Sequence, residues 1–258
     1  MQSNPATPPA FRLDNDLALI TGGGTGLGLA IGHCLAAAGA RVVVTGRRED
    51  LLKQAAAEIG PRAGFVAHDV TRLDQAPAMV DEVTGRFGVI TILVNNAGIH
   101  LKKPALETTE DEFLSVLTTH VLGAHAVSRA VVPGMIERRS GSILFIASMA
   151  ALFGIPQVVA YSAAKSAYLG MVRSLATEFS PHGVRVNAIA PGWIETEMTR
   201  KAMDGDPERK KKILGRTPLA RFGEPADVGQ AAVFLCSHAA KFVTGVVLPV
   251  DGGASIGF

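Results

Sequence analysis

The sequence predicts a single α/β domain, a seven-stranded parallel sheet with helices on both faces. Two observations predict it. Short apolar runs rich in β-formers alternate with stretches of helical spacing from Phe11 onward, and the first run leads through a glycine-rich turn into the first helix. Parallel neighbours need crossover connections, which are usually helical, so the alternation implies a parallel sheet with both faces covered.

Residues 1–10 hold three prolines with Ser, Asn and Thr and read as a mobile arm, so one folded domain is expected over residues 11–258. Strands are predicted at Leu17–Thr21, Arg41–Thr45, Gly64–Ala67, Ile90–Val94, Ser142–Ala147, Val184–Ala190 and Val246–Val250. Between the first two, Leu27, Ile31, Cys34/Leu35 and Ala38 recur at helical spacing, and Gly39 then stops the helix. Another helix is predicted over Tyr161–Phe179. Sites in such sheets lie at the carboxyl ends of the strands.

Composition narrows the function classes. With 48% apolar and 19% charged residues the chain is not globally disordered. A net charge of +2, without a long basic block interleaved with aromatics, argues against nucleic acid or an anionic membrane as partner. No run of about 18 apolar residues occurs, and the start lacks the pattern of a secretory leader, so a cytoplasmic location is expected. Cys34 and Cys236 lie far apart in apolar helical stretches without metal-ligand spacing and read as core thiols. No metal site is expected.

After the first strand comes Thr21-Gly22-Gly23-Gly24-Thr25-Gly26-Leu27-Gly28. Glycines here let the backbone turn tightly and approach a pyrophosphate, whose charge is favoured by the unpaired N–H groups and dipole of the helix that follows. An ordinary tight turn would also use glycine, but strand before and helix after favour a dinucleotide. The turn lacks the Gly-Lys-Ser/Thr ending of a nucleoside-triphosphate loop. At the end of the second strand, Val44-Thr45-Gly46-Arg47-Arg48 offers no acid for a ribose 2'-hydroxyl. Arg47 or Arg48 would instead pair with a 2'-phosphate, which favours NADP over NAD; the alternative is that both are solvated loop charges.

Ser148 stands at the end of the fifth strand, and Tyr161 and Lys165 are i and i+4 on one face of the long helix. A free phenol is a poor base at neutral pH, but a nearby ammonium stabilises the phenolate. Tyr161 would exchange a proton with a substrate oxygen held by Ser148 while a nicotinamide exchanges hydride with the carbon. Taken alone, a Tyr-x-x-x-Lys pair is a frequent accident.

The motifs together, from Phe11 to Gly253, resemble the short-chain dehydrogenase/reductase family with its doubly wound Rossmann fold. They are the glycine turn, Asp69-Val70, Asn95-Asn96-Ala97-Gly98, Ser148 with Tyr161-Ser162-Ala163-Ala164-Lys165, and Pro191-Gly192 followed by Ile194 and Thr196. The resemblance implies that Asp69 and Val70 contact the adenine and that Asn96, Ala97 and Gly98 flank the adenosine ribose. Tyr161 is the implied acid/base, Lys165 binds the nicotinamide ribose and tunes the tyrosine, and Ser148 orients the substrate. Ile194 and Thr196 meet the carboxamide, and Arg47 lies where NADP-preferring members are basic. One position departs from the pattern: His120, in His120-Val121-Leu122-Gly123, stands where many members have asparagine. That residue's carbonyl holds a water linking the lysine to solvent, and a histidine keeps the carbonyl. His120 is therefore read as a tolerated substitution, as a relay member titrating near pH 6.5, or as a mark of impaired catalysis.

The substrate pocket is expected between Ile99–Lys103 and the segment Trp193–Phe222, which is charged, is broken at Asp204-Gly205-Asp206-Pro207 and reads as a mobile lid. His100, Lys102 and Lys103 are candidates to read a carboxylate, whereas Arg209-Lys210-Lys211-Lys212 reads as a solvated face. The chain looks most like members of the gluconate 5-dehydrogenase kind and also like 3-oxoacyl carrier-protein reductases. The expectation is an alcohol/ketone oxidoreductase acting on a small hydroxy or keto sugar acid. A lipophilic carbonyl, suited to the apolar stretch Met149–Pro156, is the alternative, and a non-catalytic NADP(H) sensor is the reading from another class. The resemblance also implies a homotetramer, built through the helices after the fourth strand and around Tyr161 and through the C-terminal strand.

Overall fold

The computed structural model describes residues 8–196, 199 and 207–257. Seven strands form one parallel sheet in the order β3-β2-β1-β4-β5-β6-β7: β1 Leu17–Thr21, β2 Arg41–Gly46, β3 Ala63–Ala67, β4 Ile92–Asn95, β5 Gly141–Ile146, β6 Val184–Pro191 and β7 Val247–Val250. The helices between them are α1 Gly26–Ala37, α2 Glu49–Ile59, α3 Ala76–Phe87, α4 Glu110–Leu117, α5 Gly123–Glu137, α6 Val159–Phe179, α7 Pro207–Arg216 and α8 Pro225–Cys236.

The strand period of two sorts β1 onto two cores. Leu17 and Leu19 join Val83, Val127, Val131, Phe145 and Val172 under α3, α5 and α6. Ala18 and Ile20 face the other way, onto Ile31, Leu35, Leu52, Val228 and Ala232 of α1, α2 and α8. Every residue of β1 is buried, as expected of a central parallel strand covered on both sides. Because β1 pairs with both β2 and β4, the chain reverses its direction of growth there. A crevice opens at the carboxyl ends of such neighbours.

All seven predicted strands are present with small shifts at their ends. The fourth starts at Ile92 rather than Ile90, although Ile90 is buried and Thr91 still exchanges hydrogen bonds with Leu17. The fifth stops at Ile146, leaving Ser148 two residues beyond the ladder. The long helix begins at Val159, so Tyr161 lies in its first turn. Order starts before Phe11: Pro9–Phe11 form an exposed 3-10 turn whose Phe11 ring packs 6.3 Å from that of Phe234, while residues 1–7 of the expected arm lie outside the described residues.

One local feature has no counterpart in the hydrophobic pattern. Between α4 and α5 the backbone widens into a π-turn over Thr118–Leu122, centred on His120. Such turns leave carbonyls without the usual i+4 partner. No helix among the described residues is long and apolar enough to cross a membrane.

Candidate active site

A cleft of about 810 Å³ runs across the carboxyl ends of the central strands. That volume falls in the range of about 300–1,000 Å³ typical of small-molecule and cofactor sites. Of the catalytic and cofactor residues predicted from sequence, all but Gly28 line it, and of the candidates to read a carboxylate His100 does, whereas Lys102 and Lys103 do not. The glycine turn, Arg47, Arg48, Asp69 and Val70 form one end; Ser148, Tyr161, Lys165 and His120 form the other, with Asn96, Ala97 and Gly98 along the wall and Pro191, Gly192, Ile194 and Thr196 opposite.

The glycine turn is held from beneath. Gly22 N–H donates to the Thr45 carbonyl (2.7 Å), and the Asn96 amide donates to the carbonyls of Thr21 and Gly22 (3.0 Å each). The Thr21 hydroxyl in turn accepts from the N–H groups of Asn96 and Ala97 (3.1 Å each). Asn96 therefore braces the turn with its side chain while lining the cleft. Gly28 serves the same packing: a Cβ there would collide with the Gly22 carbonyl oxygen and stand 2.6 Å from the Asn96 amide nitrogen. Gly26, by contrast, has φ +57° and nothing within 4 Å of where its Cβ would be. Bare backbone thus faces open space at the start of α1, whose cap residue Thr25 makes no side-chain bond to the helix. Unpaired N–H groups at a helix N-terminus favour an anion, so the turn fits the pyrophosphate of a dinucleotide.

Arg47 and Arg48 are exposed past the end of β2, and no acidic residue occupies that strand end. Across from them, burial raises the Asp69 carboxyl, but hydrogen bonds from the Thr71 N–H (3.0 Å) and hydroxyl (2.8 Å), with the charge of Arg47, lower it overall.

At the other end, Ser148 caps the 3-10 turn Met149–Ala151, its hydroxyl oxygen accepting from Ala150 N–H (3.1 Å), and its hydroxyl lies near enough to that of Tyr161 to favour the phenolate. The Lys165 ammonium is buried, donates to the Ile146 carbonyl (2.6 Å) and lies 5.6 Å from the centre of the Tyr161 ring. Burial lowers Lys165 to about 7. Burial also raises the Tyr161 phenol, against the downward pull of Ser148. Protein alone therefore keeps the proton on Tyr161, where an acid for carbonyl reduction is needed.

His120 does reach this site. Its ring stands edge-on to that of Tyr161 (5.6 Å between centres), with Nε2 at 2.8 Å from the Ile99 carbonyl oxygen and 3.1 Å from the Ile99 nitrogen. Burial, then the charge of Lys165, lowers its pKa to about 3, so the ring stays neutral near pH 6.5 instead of titrating there. The His100 ring packs against Tyr161 at 5.1 Å.

Lys103 was expected to read a carboxylate, but it donates to both oxygens of Glu112 (2.9 and 3.0 Å), which also closes the capping box at the start of α4. Lys211 and Lys212 are exposed on α7, as read for the basic run; Asp204, Gly205 and Asp206 lie outside the described residues. The Arg216 guanidinium, at the end of α7, sits 4.3 Å from the centre of the Phe153 ring. No cluster able to hold a metal is present among the described residues. The sequence reading missed Tyr168, although its spacing of i+3 from Lys165 and i+7 from Tyr161 put it on the same helix face.

Comparison with known proteins gives a consistent picture. The family model described as enoyl-(acyl carrier protein) reductase matches residues 22–255. Galactitol 2-dehydrogenase (L-tagatose-forming) of Cereibacter sphaeroides is 41% identical over 249 residues, covering 95% of this chain and 97% of its own. The 3-oxoacyl-[acyl-carrier-protein] reductase of Chlamydia muridarum is 37% identical over 245 residues (93% and 98%). The crystal structure of a gluconate 5-dehydrogenase from Burkholderia cenocepacia in complex with NADP and tartrate superposes with a TM-score of 0.92 at 35% identity, covering 96% of this chain and 98% of its own.

Proposed function

The chain belongs to the short-chain dehydrogenase/reductase family, whose members are NAD(P)-dependent oxidoreductases acting on alcohol and ketone groups, and we propose that it interconverts the secondary alcohol and ketone of a hydroxy or keto sugar acid with NADP. The observation that carries the reading is the Ser148, Tyr161 and Lys165 arrangement at the end of β5, facing one continuous cleft with the glycine turn.

The glycine turn and the start of α1 hold the pyrophosphate, Asp69 and Val70 the adenine, and Ala97 and Gly98 the adenosine ribose beside the Asn96 brace. Pro191, Gly192, Ile194 and Thr196 would enclose the nicotinamide, and Lys165 would bind its ribose. When bound, the cofactor supplies or accepts hydride at the reacting carbon. In reduction, Tyr161 gives its proton to the carbonyl oxygen while the Ser148 hydroxyl fixes that oxygen's position. In oxidation the phenolate is needed, and a charged Lys165 beside it favours that form.

The sugar-acid reading is supported by the polar groups around Tyr161, by exposed Lys102 and His100, and by relatives named for a polyol and for gluconate. A lipophilic carbonyl is the second reading, favoured by exposed Leu152 in the stretch after Ser148 and by the 3-oxoacyl relative. Turnover of purified enzyme with gluconate, polyols, aliphatic alcohols and 3-oxoacyl thioesters separates the two. Activity with aliphatic substrates and none with sugar acids would refute the first.

NADP preference rests on Arg47. Arg47→Ala is expected to lower kcat/KM for NADP by about tenfold, the loss of one charge-assisted contact to a phosphate. The value for NAD should change less than threefold, by the same argument, since NAD lacks that phosphate. Equal losses for both would remove Arg47 from phosphate recognition.

Exposed Leu114, Leu122 and Val159 on α4, the π-turn and α6, and the open edge of β7, support a homotetramer, which sedimentation tests directly. Two unbridged cysteines accord with a reducing, cytoplasmic location.

A further inference from the structure

Lys165 sits between two tyrosines of its own helix. Tyr161, four residues before it, faces the cleft; Tyr168, three residues after it, is fully buried, with Lys165 Nζ 4.9 Å from its ring centre and the Phe145 ring packed at 5.1 Å. The Tyr168 hydroxyl donates to the His120 carbonyl at 2.9 Å. That carbonyl, in the middle of the π-turn, also shares the N–H of Gly123 with the Thr118 carbonyl.

A carbonyl oxygen has two lone pairs; the Tyr168 hydroxyl takes one outright, and the shared Gly123 N–H faces the other. Tyr168 therefore stands where a water on this carbonyl, behind Lys165, would be held. The His120 ring offers no substitute route: Nε2 is held at Ile99, and Nδ1 is enclosed without a hydrogen-bond partner. Among the described residues the ammonium itself donates to the Ile146 carbonyl.

We propose that Tyr168 is a positioning residue that seals the inner side of Lys165, so that every proton exchanged with Tyr161 enters or leaves through the open cleft. The relay implied by family resemblance, a water on the carbonyl of residue 120, is replaced in this chain by the hydroxyl of Tyr168. This inference rests on Tyr161 being the acid/base of the proposed reaction. Its consequence is kinetic: with the cleft filled by ligands, Tyr161 regains the proton it has given to a carbonyl only as a ligand leaves.

The test removes one hydroxyl. Tyr168→Phe keeps the ring beside Lys165 and Phe145 but frees one lone pair of the His120 carbonyl to accept from a water. Rates are measured against the deuterium fraction of the solvent, and kcat against pH, for wild type, Tyr168→Phe and Tyr161→Phe. The wild type should give a linear dependence on deuterium fraction, one proton in flight. Tyr168→Phe should give a curved one, and the pH limb of Lys165 should move up by half a unit or more as the ammonium regains water. The titratable neighbours of Lys165 are Tyr161 and Tyr168 on its helix and His120 on the π-turn, with His100 on the loop beyond.

A linear dependence and an unshifted limb in a folded Tyr168→Phe would overturn the proposal. So would a curved dependence in the wild type, a measurement that stands even if the variant does not fold. Unchanged turnover in Tyr161→Phe would instead refute the acid/base reading itself.

Discussion

Tyr161→Phe is expected to lower kcat/KM about a thousandfold with both cofactors, within the range of about 10²–10⁴ that a positioned acid/base contributes. The size follows from what the variant loses and what it keeps. Only the hydroxyl goes, and with it the proton given to the substrate oxygen and the interaction with Ser148. The ring remains to pack on His100 and His120 and to face Lys165. Cofactor binding, read by NADPH fluorescence, and the melting temperature should therefore stay close to wild type. A variant as active as wild type on substrates that the wild type turns over would exclude Tyr161 as the acid/base.

Gly28→Ala is expected to weaken NADP binding by at least about a hundredfold, a loss of about 2.8 kcal/mol. The added methyl cannot be absorbed by a flexible neighbour, because it meets the Gly22 carbonyl and the Asn96 amide nitrogen. Either Asn96 releases the two carbonyls it holds or α1 moves away from the turn. Each outcome displaces the N–H groups that would bind the pyrophosphate. Overpacking itself costs about 1–3 kcal/mol, so the melting temperature should fall as well. Gly26→Ala is the informative control, since the space there is open and only the left-handed backbone resists, at about 1–2 kcal/mol. Equal NADP affinity in wild type and Gly28→Ala, by titration calorimetry, would show that the turn does not depend on this contact.

Much of this was legible in the chain itself, for identifiable reasons. Strand and helix periods differ enough that the seven strands could be placed to within a residue or two, and the i, i+4 spacing put Tyr161 and Lys165 on one face. What escaped depends on contacts between distant residues. Nothing in the sequence around Lys103 shows that Glu112 folds back onto it, because the capping box that aims Glu112 forms only with the helix. The π-turn at His120 has no hydrophobic signature. Tyr168 is not marked out by the sequence because its hydroxyl's partner is a backbone carbonyl of another element, in that irregular turn. Of the three readings open for His120, titration near pH 6.5 fails for the same reason: burial decides its pKa, and burial is a property of the whole fold.

The Thr21 hydroxyl bears on how the chain acquires its structure. It meets N–H groups of Asn96 and Ala97, partners 75 and 76 residues away, and the Asn96 amide returns two bonds across the same span. Long-range contacts of this kind form only after the intervening chain has closed into a loop, at an entropy cost that local turns do not bear. The glycine turn is written within eight consecutive residues, yet it becomes rigid only when β4 has docked beside β1. During synthesis, a chain that has not yet emerged beyond residue 97 therefore lacks a formed dinucleotide cradle, and cofactor capture belongs to the later part of folding although its motif emerges among the first.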